Sequence, residues 1–200
     1  MKKKFSVLVL LVSIGLIFSL MNSGCKKEEP KAKAPGKVAE PEVVTSIQVT
    51  FEDGKTDWQP RSKKVKLELS DKIRHGGNSS LKVTGQADET TWSYAGSQQF
   101  SLVPGKKYKL TGWMLVESID KTKYSPVLKC AIYQEGKWAT NFFTQYYNLK
   151  KQKEWQELSV KFETPQGGNL KGMIALDKGT KDAAINATIY LDDIKVEPIP

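Results

Sequence analysis

The chain of 200 residues has little histidine, cysteine or arginine: His75 alone, Cys25 and Cys130, Arg61 and Arg74. One imidazole cannot build a multi-histidine metal site, and a His-paired nucleophile triad would have to be made on His75 alone. Two cysteines build no disulfide framework. Cys130 lies in the apolar run Val127-Leu128-Lys129-Cys130-Ala131-Ile132, where it reads as a small buried hydrophobe. Base-reading arginine clusters are absent, so the net charge of +9 does not indicate nucleic acid. The surplus is lysine spread among 22 acids, and an anionic surface such as acidic glycan, cell wall or lipid headgroups suits it better.

The charge and the apolar residues are unevenly placed. Lys2, Lys3 and Lys4 precede the apolar run Phe5–Leu20, and Asn22-Ser23-Gly24 leads into Cys25. This is the pattern of a secretory signal, and Ser-Gly-Cys resembles a bacterial lipobox, although Asn22 stands where leucine is usual. Residues 1–24 are therefore expected to be a lipoprotein signal peptide with Cys25 as the lipidated residue. Ordinary secretion or an uncleaved anchor helix is the alternative. Residues 25–45 carry five lysines, four glutamates and three prolines with no aromatic. Such a segment buries too little to order itself and reads as a tether. Together these place a domain of residues 46–200 at the bacterial cell envelope, outside the cytoplasm, on a lipid anchor. The domain carries about +5, because the signal holds three of the nine charges and the tether one.

From residue 46 the pattern has period two. Val65, Leu67 and Leu69 alternate with Lys66, Glu68 and Ser70; Leu128, Cys130 and Ile132 with Lys129, Ala131 and Tyr133; Leu158, Val160 and Phe162 with Ser159, Lys161 and Glu163. Asp53-Gly54, Pro104-Gly105, Glu135-Gly136 and Gly167-Gly168-Asn169 supply turns. Many short strands at this spacing predict an all-β domain, an antiparallel β-sandwich. Trp113 and Tyr133 have outward parity, and if their strands are neighbours they set two rings on one face. The plainer reading is that each covers a sheet edge. Trp58 and Trp155 read as structural, Trp155 as a cap on the core where a strand opens, and Trp138 as the rim of a cleft. Asp192 shares parity with Tyr190, Ile194 and Val196, which predicts a carboxylate facing the core.

Several segments resemble the carbohydrate-binding modules of family 22 and the related families 4 and 9. They are Phe51-Glu52-Asp53-Gly54, Trp58-Gln59-Pro60-Arg61, His75-Gly76-Gly77-Asn78-Ser79-Ser80-Leu81, Pro104-Gly105-Lys106-Lys107-Tyr108, Trp155-Gln156-Glu157-Leu158 and Tyr190-Leu191-Asp192-Asp193-Ile194. The resemblance covers about residues 47–197 in order and implies a β-jelly roll. It implies that Trp92 stacks on a sugar ring, that Arg61 hydrogen-bonds the ligand, and that Phe142 or Phe143 supplies a further aromatic. The family's penultimate-strand tyrosine and acid fall at Met173 and Asp177, so the tyrosine is missing. It also implies a structural calcium between the first and last strands, held by Glu52 and Asp192. Carboxylate and carbonyl oxygens suit that ion. A hydrogen-bonded Asp192 without metal is the alternative.

The function expected is thus a non-catalytic, lipid-anchored module binding β-glucan, xylan or wall glycan on exposed aromatics. An envelope lipoprotein that kept the sandwich and lost sugar binding is the alternative. A small β-sandwich glycosidase is the remote one, since no cleft-facing carboxylate pair stands out.

Overall fold

The computed structural model describes residues 46–200, so the signal, Cys25 and the tether lie outside the described residues. Twelve strands follow in chain order: β1 (Ile47–Val49), β2 (Gln59–Pro60), β3 (Val65–Ser70), β4 (Ser80–Ala87), β5 (Ser93–Gly96), β6 (Phe100–Leu102), β7 (Lys107–Ile119), β8 (Val127–Gln134), β9 (Lys137–Phe143), β10 (Gln156–Glu163), β11 (Leu170–Asp177) and β12 (Ile185–Pro198). One sheet runs β10-β7-β12-β4-β3, with β1 on the C-terminal part of β12. The other runs β2-β5-β11-β8-β9, with β6 on β11 beyond the end of β5. All pairs are antiparallel. From β6 onward the chain passes repeatedly between the sheets, which makes the expected jelly-roll sandwich.

Inward side chains of both sheets form one apolar core. Leu81, Val83, Leu110, Met114, Ile189 and Leu191 come from the first sheet, and Leu128, Cys130, Ile132, Ile174 and Leu176 from the second. Each such fully buried aliphatic contributes roughly 1.5–3 kcal/mol. The sheets approach closely at Gly112, where a Cβ would lie 2.7 Å from Leu128 Cδ1. Burial raises the Cys130 thiol to about 12, so no thiolate forms near neutral pH.

Three expectations change here. Trp113 and Tyr133 do not share a face, because β7 and β8 belong to opposite sheets. Asp192 does not face the core. It is paired with Trp113, and the inward residues are Leu191 before it and Ile194 after it. A bulge between Asp192 and Lys195, with Asp193 at φ 46°, shifts the parity by one residue. Tyr190 accordingly lies outward too. Trp155, expected to cap the core, is instead half-buried on the outer side. It meets His75 edge-on at 5.7 Å, while His75 stacks on Trp113 at 3.8 Å. Trp58 is buried in the core, as expected.

Candidate functional site

The outward face of the second sheet carries a groove of about 880 Å³. Its floor follows from strand register. Asn141, Ala131 and Met173 make one row across β9, β8 and β11. Trp138, Tyr133 and Lys171 make the next. Lys129, flanked by Phe143 and Ala175, makes the row on the other side. Alternation puts Lys129, Ala131 and Tyr133 of β8 on this face, and a register shift between Ile132 and Tyr133 brings both Trp138 and Asn141 of β9 to it.

Trp92 stands at one bank, 53% exposed. Its backbone is fixed from both sides: Lys178 N–H donates to the Trp92 carbonyl (3.0 Å), and Thr91 Oγ1 accepts from Ser93 N–H (3.0 Å). Lys178 is itself buried, its ammonium donating to the carbonyls of Asp88 and Ala183. That burial holds its pKa below the usual lysine range. Trp138 stands on the β9 side, 62% exposed, its indole N–H donating to Asn141 Oδ1 (3.2 Å). Tyr133 lies between the two banks in the floor. Three aromatic rings thus border one open groove, a surface suited to flat apolar faces.

Arg61 follows β2, anchored by its own N–H donating to the Tyr94 carbonyl (2.8 Å). Its guanidinium lies over Gly96, where an added Cβ would come 3.0 Å from Nη2 and 3.3 Å from Nε. Nη2 also points at the Met173 thioether (2.8 Å). Met173, on the groove floor beside Ala131, thus meets the arginine.

The other sequence candidates fall elsewhere. Asp177 is on the groove side of β11 but 1% exposed, its carboxylate accepting from Lys129 Nζ (2.6 Å) and Gly179 N–H (2.8 Å). Phe142 points inward and stacks on Phe162 at 4.8 Å, because it pairs with the inward Cys130. Phe143 is the exposed member of that pair and extends the face beyond the groove. Trp113 is on the opposite sheet, covered by His75. The residues that sequence reasoning missed are Lys129, Asn141 and the loop pair Gln98 and Gln99. Lys129 was open to detection through its parity with Tyr133, whereas Asn141 has the opposite parity to Trp138 and reaches the same face only through the irregularity where β8 and β9 pair at Ile132 and Tyr133. The glutamines lie in an irregular loop with no such signal.

Glu52 and Asp192 both serve the His75–Ser79 loop. Asp192 Oδ2 accepts from the N–H groups of His75 (2.8 Å) and Gly76 (3.2 Å), and Oδ1 from Asp193 N–H (2.9 Å). Burial nevertheless raises its pKa, and these amides oppose the shift. Glu52 Oε2 accepts from Asn78 N–H (2.6 Å). Among the described residues no three carboxylate, imidazole or thiol groups gather into a metal cage. Both carboxylates keep spare acceptor capacity, so they fit an oxygen-coordinated ion only with backbone carbonyls completing its shell.

A profile described as a carbohydrate binding domain matches residues 46–182. The chain belongs to that family. The module is a binding domain rather than an enzyme, as the sequence suggested. Curated relatives are multidomain proteins: endo-1,4-beta-xylanase A of Thermotoga neapolitana is 30% identical over 80% of this chain, and that of Thermotoga maritima 27% over 74%. The chain spans 14% and 13% of their lengths. Among solved structures, a family 22 xylan-binding domain from Paenibacillus barcinonensis is similar at TM-score 0.52 and 19% identity, covering 76% of this chain and 93% of that one. The C-terminal family 22 carbohydrate binding module from Clostridium thermocellum gives 0.54 and 16%, covering 76% and 91%. At such identities the likeness is one of fold.

Proposed function

We propose that the module binds a β-linked polysaccharide of the β-glucan, xylan or wall-glycan class in the groove of the second sheet. Trp92, Tyr133 and Trp138 offer rings to the sugar faces, and Arg61 offers hydrogen bonds to the chain. Lipid on Cys25 and the tether of residues 25–45 hold the module at the envelope, outside the cytoplasm. The observation that carries this reading is three rings on one open groove of a carbohydrate binding domain. The xylan named for a fold neighbour and the xylanase relatives support the glycan class. A calcium ion at Glu52 and Asp192 belongs to the same proposal, and would pin β12 to the segment after β1.

Residues 46–200 and the Trp92→Ala variant, tested on a panel of xylan, β-glucan and wall glycan, decide the matter. The expected result is binding to one class, weakened in the variant. Trp92 exposes about half of a side chain that buries roughly 150–250 Å². Covering some 60 Å² of it at about 25 cal/mol per Å² corresponds to about 1.5 kcal/mol, or roughly tenfold in affinity. Unaltered binding in Trp92→Ala removes the site. No binding to any glycan favours the second reading, an envelope interaction lipoprotein, for which the resemblance supplies one reason: Met173 stands where it implies a tyrosine.

A further inference from the structure

The groove is cationic without any acid of its own. Among the described residues no aspartate or glutamate lines it, whereas Arg61 and Lys129 do. The two cations differ in kind. Lys129 is closed by Asp177 at 2.6 Å, so its charge is answered within the protein. Arg61 is in no ion pair among the described residues. Its side chain is exposed, and the only acceptor it meets is a thioether sulfur, a weak one. Other acids of the module have partners of their own: Asp88 accepts from Ser62 and Lys64, Asp177 from Lys129, and Glu135 from Asn169 N–H. Five guanidinium N–H groups thus face an open groove with one soft partner, held flat by the absent Cβ of Gly96.

A neutral chain does not need a fixed charge, since its hydroxyls can be served by the side-chain amides of Gln98 and Gln99 that also line the groove. A planar, permanently charged fork beside aromatic rings matches a carboxylate carried on a sugar. We infer that the groove prefers an acidic glycan, a β-linked chain bearing uronic acid residues, with the carboxylate on Arg61. This rests on the groove being the glycan site, and it deepens that reading by fixing the ligand's charge.

The test uses three probes on one backbone: xylohexaose, a xylooligosaccharide carrying a glucuronic acid branch, and the same branched oligosaccharide with its carboxyl reduced to the alcohol. Titration calorimetry with residues 46–200 is expected to show at least fivefold tighter binding of the acid than of its reduced form. The advantage should shrink between about 20 mM and 0.5 M salt as screening shortens. In Arg61→Gln, with its melting temperature checked against wild type, acid and reduced forms should bind alike. Equal wild-type affinity for acid and reduced forms overturns the inference and leaves glycan binding standing. Binding of none of the three probes, nor of polyuronate, overturns the inference, and failure on the wider neutral panel as well takes the glycan site with it.

Discussion

The Lys129–Asp177 pair gives a sharp energetic test, because its members are buried unequally. Asp177 is 1% exposed and Lys129 8%, at the groove margin. Lys129→Met strands a carboxylate that has no route to water and keeps only the Gly179 amide. Breaking a buried pair in this way costs about 3–5 kcal/mol. Asp177→Asn keeps an oxygen for Gly179 and leaves an ammonium whose long stem can swing into the groove, so about 1–2 kcal/mol is expected. The double variant strands no charge and should resemble Asp177→Asn. For a domain of this size 1 kcal/mol moves the melting point by about 2–4 °C. Lys129→Met should therefore melt about 10 °C below wild type and Asp177→Asn only about 4 °C below. Circular dichroism melts and urea titrations of the four proteins read this directly. A double-mutant cycle that adds within about 0.5 kcal/mol, or a Lys129→Met no worse than Asp177→Asn, would refute the reasoning.

Three further outcomes follow from the geometry. Gly96→Ala, whose Cβ meets only the mobile end of Arg61 and the Ile174 carbonyl at 3.4 Å, should melt within about 3 °C of wild type while glycan affinity falls severalfold; unchanged affinity would show that the Arg61 seat is irrelevant. Asp88 has its pKa lowered from 3.8, first by the Ser62 hydroxyl and then by Lys64, so the unfolded chain binds its proton more readily than the folded one. The stability it contributes is complete above pH 3.8 and is lost as pH falls through its folded value, so Asp88→Asn should flatten the acid limb of the wild-type stability profile; an unchanged acid limb counts against this. If calcium occupies Glu52 and Asp192, EGTA should lower the melting point of the calcium-loaded module by several degrees, about 2.7 kcal/mol at an ion concentration a hundred times Kd; an identical melt argues against a bound ion.

Much of the architecture is legible in the chain because strand alternation is a local property. Val65, Leu67 and Leu69, or Leu128, Cys130 and Ile132, announce a buried face whatever they pack against. Part of the groove was readable too, since Arg61 sits in a segment that resembles a known module, the same resemblance implied a ring at Trp92, and Trp138 read as a cleft rim. What period two cannot carry is the neighbour of each strand. Trp113 and Tyr133 have the same parity, yet one lies under His75 on the first sheet and the other lines the groove of the second. Nor does parity survive a bulge: one residue at Asp193 turned a core-facing carboxylate into one buried beneath a loop.

The sequence alone determined an all-β domain of residues 46–200, its lysine-rich charge, its lack of catalytic imidazole pairs, and the segments that mark a carbohydrate binding domain. These depend on residue type and on spacing along one strand. Tertiary structure decided which aromatics share a face, that Asp177 answers Lys129 instead of a ligand, and that Arg61 stays unpaired over Gly96. Each of those depends on strands distant in sequence being set side by side, and pairing at such range leaves no trace in the periodicity of either partner.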